Sequence, residues 1–409
     1  MTSCFIERLT TRDARYDLPD GAGSDSHHSD PQYSFAVTNL TSNRATGTGL
    51  VLTLGGGNEL VCAAIEQLGS PLIGRDIEEV MTDFGATFNR IANHPQLRWL
   101  GPHKGVVHLA LASITNACFD LWAKARGVPL WQLLLDLSPD QVVALLDLSF
   151  LEDVLTAADA RDLLTEHQAS RATRGAVLAT GYPSYDTSIG WFNYSDERLG
   201  ENVRNALAAG FRAMKLKVGS DDPGRDIRRA HLLRELAGDD IPIMLDCNQH
   251  WNLPEAIRAC HDLAAMSPYW IEEPTHPDDV MAHHTLAREI APLAIAIGEH
   301  VPNRVLFKNY MQLDAARFIQ VDCTRVGGVS EFITVSLLAR KFGLPVVPHV
   351  GDMGQIHQHL VLFNHIVLGH DAIFLEHIPH LRDKFLHPAD VREGVYHTPL
   401  EPGSSSDLI

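Results

Sequence analysis

The sequence predicts an α/β protein, a (β/α)8 barrel of the TIM-like kind with an α+β N-terminal capping domain. Three observations predict it. Seven ionisable residues (Lys217, Asp246, Glu272, Glu299, Asp322, His349 and Glu376) close short apolar runs at intervals of 29, 26, 27, 23, 27 and 27 residues. From about residue 142, strand-like runs alternate with helical stretches, which is the signature of a parallel sheet. Finally, 409 residues exceed the roughly 250 of a plain barrel and leave room for a second domain. In such a barrel the strand ends converge on one face, and that face carries the chemistry. The seven-part series therefore reads as an active site laid out along the chain. The expected division is 1–138 for the cap, 139–376 for the barrel, and 377–409 for a segment folding back.

Each element has its own warrant. Phe5-Ile-Glu-Arg-Leu9, Tyr33-Ser-Phe-Ala-Val-Thr38 and Gly49-Leu-Val-Leu-Thr-Leu54 alternate or run apolar at strand length, predicting an antiparallel meander. Between the first two lies a polar Gly/Ser/His loop, 21–31, with turn chemistry. Residues 57–135 read as mainly helical. The stretch 105–126 repeats apolar residues at helical spacing and stops at Gly127, with Pro129 just beyond. Val142-Val-Ala-Leu-Leu-Asp-Leu148 supplies a first barrel strand and 212–218 a second. Runs ending at Asp246, Glu272, Glu299, Asp322, His349 and Glu376 complete eight. Helices such as 254–265 and 328–341 fill the gaps. The long first connection, 149–198, contains Gly181-Tyr-Pro-Ser-Tyr-Asp-Thr-Ser188, read as an active-site loop.

Composition narrows the function. An apolar content of 45% with 21% charged residues fits a globular chain. No uninterrupted apolar stretch of about 18 residues appears, which argues against a membrane span. Met1-Thr-Ser-Cys-Phe-Ile-Glu-Arg8 runs straight into a strand pattern without a signal-peptide core, so cytoplasmic residence is the expectation. Six scattered cysteines without a Cys-x-x-Cys pair read as buried free thiols. A net charge of −18 argues against nucleic acid and obliges an anionic substrate to meet local cations. Gly55-Gly-Gly57 fails as a dinucleotide fingerprint because the third glycine position holds Leu60.

Three groups carry chemistry. Asp246, Glu272 and Glu299 on consecutive strand ends would repel one another unless a divalent cation neutralised them, and an all-oxygen donor set suits magnesium. In Lys215-Leu-Lys217, residues two apart face the same side of a strand. Each ammonium is expected to depress the other's pKa, making a base usable near neutrality. His349 and Asp322 end neighbouring strands, so the carboxylate can hold the imidazole and raise its basicity. His27-His28, His283-His284 and His357-Gln-His359 read as surface or loop residues without a role.

With Asp30-Pro-Gln-Tyr-Ser34, Gln96-Leu-Arg-Trp-Leu-Gly-Pro102, Lys104-Gly-Val-Val-His-Leu109, Gly181-Tyr-Pro-Ser-Tyr185, Tyr194-Ser-Asp196, Trp270-Ile-Glu-Glu-Pro-Thr275, Gly298-Glu-His300 and Asn303-Arg-Val305, the chain resembles the enolase superfamily, mandelate racemase subgroup. Within that subgroup it is more closely similar to the L-fuconate dehydratases, over nearly its whole length. The resemblance implies magnesium ligands at Asp246, Glu272 and Glu299, a Lys215/Lys217 pair, a His349–Asp322 dyad, and an eighth-strand acid at Glu376. It further implies substrate contacts at Lys215, Asn248, Glu299, Glu376, Asp25, Tyr33 and Trp99, and a homo-oligomer. Two departures stand out: Val-Gly-Asp-Met-Gly-Gln after His349, and a short run after Glu401-Pro-Gly403.

The implied reaction is dehydration of a six-carbon acid sugar. Lys215 and magnesium bind the carboxylate, Lys217 takes the C2 proton, and His349 protonates the departing 3-hydroxyl. The 20–33 loop is expected to close over the barrel and read the distal hydroxyls. Alternatives are another acid-sugar dehydratase or a racemase of the same subgroup, or a non-catalytic barrel.

Overall fold

The computed structural model describes residues 3–350 and 353–409. Gly351 and Asp352, within the departure after His349, lie outside the described residues.

The cap opens with three antiparallel strands, β1 (Ile6–Tyr16), β2 (Tyr33–Ser42) and β3 (Thr46–Thr53), in that spatial order. The helix Gly105–Arg126 packs on β3 at close range. Gly49 sets the distance, since a Cβ there would lie 1.9 Å from the Ser113 carbonyl oxygen. Ser113 Oγ secures the approach, donating to the carbonyls of Ala36 and Gly49, both at 3.0 Å. By length and composition this helix is apolar enough to cross a membrane, but 89% of its most apolar window is buried inside the fold. It is the core helix of the cap. Its Asn116 also ties cap to barrel, donating to the carbonyls of Leu50 at 3.1 Å and Cys323 at 3.0 Å.

In the barrel, β4 (Tyr182–Gly190), β5 (Met214–Lys217), β6 (Ile243–Asp246), β7 (Trp270–Glu272), β8 (Ile295–Ile297) and β9 (Phe318–Ile319) pair in parallel in sequence order. The seventh position is a single parallel bridge, Ile319 to Val346. The eighth strand, β10 (Leu375–His377), returns to pair with β4. A small hairpin, β11 (Val391–Arg392) and β12 (Val395–Tyr396), adds antiparallel to the start of β4. Tyr185, Met244, Trp270, Phe318 and Val347 fill the barrel floor. Bulky side chains there push the polar interior positions toward the C-terminal face.

Two expectations are corrected. The segment 142–148 is not a strand: Pro139–Ala144 is a helix, started by a reciprocal capping box between Ser138 and Gln141. The β-branched Val142-Val143 pair misled, because the Ser138 cap four residues upstream of Val142 outweighs it. The first barrel strand is instead β4, where Gly181 and Pro183 predict a loop. Pro183 is tolerated because it sits at the second position of the strand, opposite Val395 of the short hairpin. The six cysteines are buried free thiols, as expected.

The tail runs back across the cap. Leu130 N donates to Gly403 O at 2.8 Å, Ser404 N to Asp120 Oδ1 at 2.6 Å, and Lys124 Nζ to Asp407 Oδ2 at 2.6 Å. A buried ionic network also joins the two layers. Glu331 accepts from His108 Nε2 at 2.7 Å and from Arg304 Nη1 at 3.0 Å, while Arg304 Nη2 donates to Asp147 at 2.7 Å. Burial alone would raise the Glu331 carboxyl, but His108 and Arg304 hold it well below the usual carboxylate range. A folded-state pKa below the unfolded one contributes stability above the unfolded value and loses it as pH falls through the folded one. The fall in urea midpoint on acidification below the ordinary carboxylate range is therefore expected to be smaller in Glu331→Gln than in the parent. An equal fall in both would show that this network does not carry the acid sensitivity.

Candidate active site

Parallel register brings the series together. Lys217 is the register partner of Asp246, and Asp246 that of Glu272. Glu299, Asp322 and His349 follow just beyond β8, β9 and the Val346 bridge, and Glu376 lies within β10. One oxygen from each of Asp246, Glu272 and Glu299 falls within 4.8 Å of the other two. All three carboxylates are buried. Burial and the Asp246 charge push Glu272 up to about 8, the mark of acids crowded together. Three hard oxygen donors with no sulfur or imidazole among them fit a divalent cation of the magnesium type.

The lysine pair departs from expectation. Lys215 Nζ lies 2.7 Å from Glu272, 2.8 Å from Glu376 and 3.3 Å from Asp246. Lys217 Nζ lies 2.6 Å from Asp246 Oδ2 and 3.0 Å from Asn248 Oδ1. Burial and the Lys215 charge act to lower Lys217, yet the facing carboxylates, Asp246 foremost, raise it above its ordinary value. Like-charge depression between the lysines is therefore outweighed. A cation competing for the Asp246 oxygens would weaken that pair and return Lys217 toward a usable base.

His349 stands across the carboxylates from Lys217. Its Nδ1 is 2.7 Å from Asp322 Oδ2 and its Nε2 is 3.2 Å from Glu299 Oε2. Burial opposes protonation of the ring, but Glu299 and the Asp322 hydrogen bond raise it to about 9. At neutral pH it is thus charged and able to donate a proton.

Lys217, Glu299, His349 and Glu376 line a cavity of about 270 Å³, together with Asp25, Tyr33, Asn248, Thr187 and Trp191. The 21–32 loop sits at its mouth. Ser26 Oγ donates to Cys247 O at 3.0 Å, and Asn193 N donates to Ser24 Oγ at 2.9 Å. Burial acts to raise the Asp25 carboxyl, but His28 and the Lys217 charge bring it below its ordinary value. Of the expected substrate contacts, Asn248, Glu299, Glu376, Asp25 and Tyr33 line the cavity. Trp99 does not: it is 99% exposed, on a surface segment between helices. Lys215 also lies outside the wall, beneath the carboxylates it contacts.

The histidines set aside from the sequence need correction too. His28 lines the cavity with Nδ1 3.0 Å from both Asp25 oxygens. His283, His357 and His359 are buried, and His357 Nε2 lies 2.8 Å from Asp322 Oδ1. Thr187, within the expected active-site segment 181–188, lines the cavity, and so do Trp191, His300 and Arg325, which were not assigned to the site from the sequence. His300 Nδ1 is 3.0 Å from Glu273 Oε2 and 2.8 Å from Gln249 Nε2. The Glu272-Glu273 and Glu299-His300 doublets were the available signal. Asn248, Gln249 and Glu273 all hold positive φ (45°, 62° and 41°), a backbone strain that concentrates at functional sites and leaves no trace in composition.

Residues 198–408 match the family model described as "Enolase C-terminal domain-like". The human protein called mitochondrial enolase superfamily member 1 is 39% identical over 98% of this chain and 93% of its own length. Its crystal structure superposes with a TM-score of 0.96, covering 100% of this chain and 95% of that one. An L-galactonate dehydratase from Hypocrea jecorina is 38% identical over 100% of this chain and 93% of its length. A racemase from Streptomyces coelicolor, solved with bound magnesium, is 25% identical with a TM-score of 0.78 over 99% of this chain and 97% of its own.

Proposed function

From the premise that this chain belongs to the enolase superfamily, we propose that it is a magnesium-dependent hydro-lyase acting on an acid sugar, L-fuconate foremost, to give 2-keto-3-deoxy-L-fuconate. One observation carries the reading: Lys217 and His349 line one cavity with Glu299, whose carboxylate clusters with those of the buried Asp246 and Glu272. The L-galactonate dehydratase relative supports the substrate class. L-fuconate is 6-deoxy-L-galactonate, so the two acids differ by a single hydroxyl. Leu52, Leu54 and Ile378 in the cavity wall suit the C6 methyl of the deoxy acid.

Asp246, Glu272 and Glu299 would hold the magnesium, which when bound supplies Lewis-acid stabilisation of the negative charge that develops on the substrate carboxylate. Lys215, buried directly under these acids, adds fixed positive charge to the same region. Lys217 takes the C2 proton. His349, held by Asp322, gives its proton to the departing 3-hydroxyl. The resulting enol ketonises to the 2-keto-3-deoxy acid.

The 21–32 loop is the selective element, with Asp25 and Tyr33 reading distal hydroxyls. Loss of a charge-assisted hydrogen bond of about 1.5–3 kcal/mol predicts that Asp25→Ala raises KM about tenfold or more. Magnesium affinity is expected to stay constant, and a parallel loss of magnesium binding would refute the assignment. The function itself is tested by incubating purified protein and magnesium with a panel of acid sugars and assaying 2-keto acid formation. L-fuconate is expected to lead. Preference for L-galactonate would revise the substrate, and proton exchange without keto acid would indicate a racemase.

A further inference from the structure

We infer that His357 is a positioning residue of this site, holding the Asp322 carboxylate from the side opposite His349 in a buried His349–Asp322–His357 chain. The inference rests on the dehydration reading above, in which His349 protonates the leaving hydroxyl.

Asp322 divides its two oxygens. Oδ2 faces His349 Nδ1 at 2.7 Å. Oδ1 accepts from the Thr324 amide at 2.6 Å and the Thr324 hydroxyl at 2.7 Å, and faces His357 Nε2 at 2.8 Å. His357 is 1% exposed and is not among the residues lining the cavity. Its own surroundings decide where its proton sits. Nδ1 is buried with no hydrogen-bond partner among the described residues. A proton there would be an orphaned donor, which is costly. The Cys323 amide, 3.1 Å from Nε2, competes for that nitrogen. An ionised carboxylate forms the stronger bond, so the His357 Nε2–H donates to Asp322.

A carboxylate gripped by three donors on one oxygen cannot rotate. Its other oxygen stays in line with His349 Nδ1, which keeps the His349 proton on that nitrogen and fixes the ring plane. Lys217 hydrogen-bonds to none of these three residues: it donates to Asp246 and Asn248. Loosening Asp322 should therefore spare proton abstraction at C2 and impair protonation of the leaving group, separating the two halves of the reaction.

The test uses the full chain with magnesium. Support for an active-site ligand from outside the cavity is commonly worth 10–100-fold, so His357→Leu is expected to lower 2-keto acid formation about tenfold or more. Exchange of the C2 proton with solvent deuterium should stay close to the parent's. His357→Gln, whose amide can reach the same oxygen, should recover most of the dehydration. Thr324→Val should show a smaller loss in the same direction, and it carries the test if His357→Leu does not fold. Equal loss of exchange and dehydration, or unchanged dehydration, overturns the inference. A readout independent of turnover is the low-field Nδ1 proton resonance of His349 in protein labelled with ¹⁵N-histidine, identified by its absence in His349→Asn. It is expected to shift or vanish in His357→Leu, and an unchanged resonance also overturns the inference. If the parent dehydrates no acid sugar, the functional reading fails while the resonance still decides the role of His357.

Discussion

A Lys217→Ala enzyme is expected to lose dehydration by about 10²–10⁴-fold, the range contributed by a positioned proton-transfer group. The argument is geometric. Lys217 Nζ projects into the cavity between Asp246 and Asn248, and the ammonium of Lys215 is already committed to three carboxylates beneath it. No other lysine lines the cavity among the described residues, so nothing replaces the lost amine. Folding should survive, because removing a cation from a site rich in acids still leaves Lys215 against Glu272 and Glu376. The companion variant His349→Asn should dehydrate as poorly while still exchanging the C2 proton with solvent. Stopped-flow assay of keto acid and NMR of C2 deuteration separate the two roles. Near-parental turnover in either variant would reassign that residue.

The second large effect is loss of activity on exhaustive chelation, with recovery on adding magnesium. Crowding of Asp246, Glu272 and Glu299 is the reason. Burial and mutual repulsion raise the Glu272 carboxyl to about 8, so a bound divalent cation would relieve an existing electrostatic cost. Asp246→Asn and Glu272→Gln should each weaken magnesium binding, measured by calorimetry, by more than any change at the 21–32 loop. Full turnover by metal-free protein would sink this prediction.

Much of this site was legible before any coordinates, because a parallel barrel converts regular sequence spacing into spatial convergence. The Lys217, Asp246 and Glu272 alignment follows from three short strands in register, and strand ends are marked by apolar runs. What failed did so for local reasons. The 142–148 run has strand-like residues but a helix cap immediately upstream, and β4 carries the glycine and proline of a loop. Lysine pKa was misjudged because spacing along one strand displays the neighbouring ammonium and hides the carboxylates arriving from other strands. The histidines were misplaced because burial depends on packing between distant segments. His28 reaches the mouth from a cap loop and His357 approaches Asp322 from a helix 35 residues further along. Trp99 shows the opposite limit, a motif residue that its own chain leaves on the surface.

Closure of the barrel between β10 and β4 has a consequence for how the chain reaches its folded state. Until residues 375–377 arrive, Tyr182–Gly190 presents an unpaired strand edge on the β10 side, and such edges recruit other chains. That edge stays open while nearly two hundred residues are synthesised and folded, a long interval of exposure to aggregation. Glu376 travels on the closing strand, so one of the three carboxylates around Lys215 and the pairing of the seam are installed in one event. Ligand binding at the mouth thus reports on chains in which β10 has docked, and a chaperone that shields the β4 edge would raise the yield of active protein without altering its turnover number.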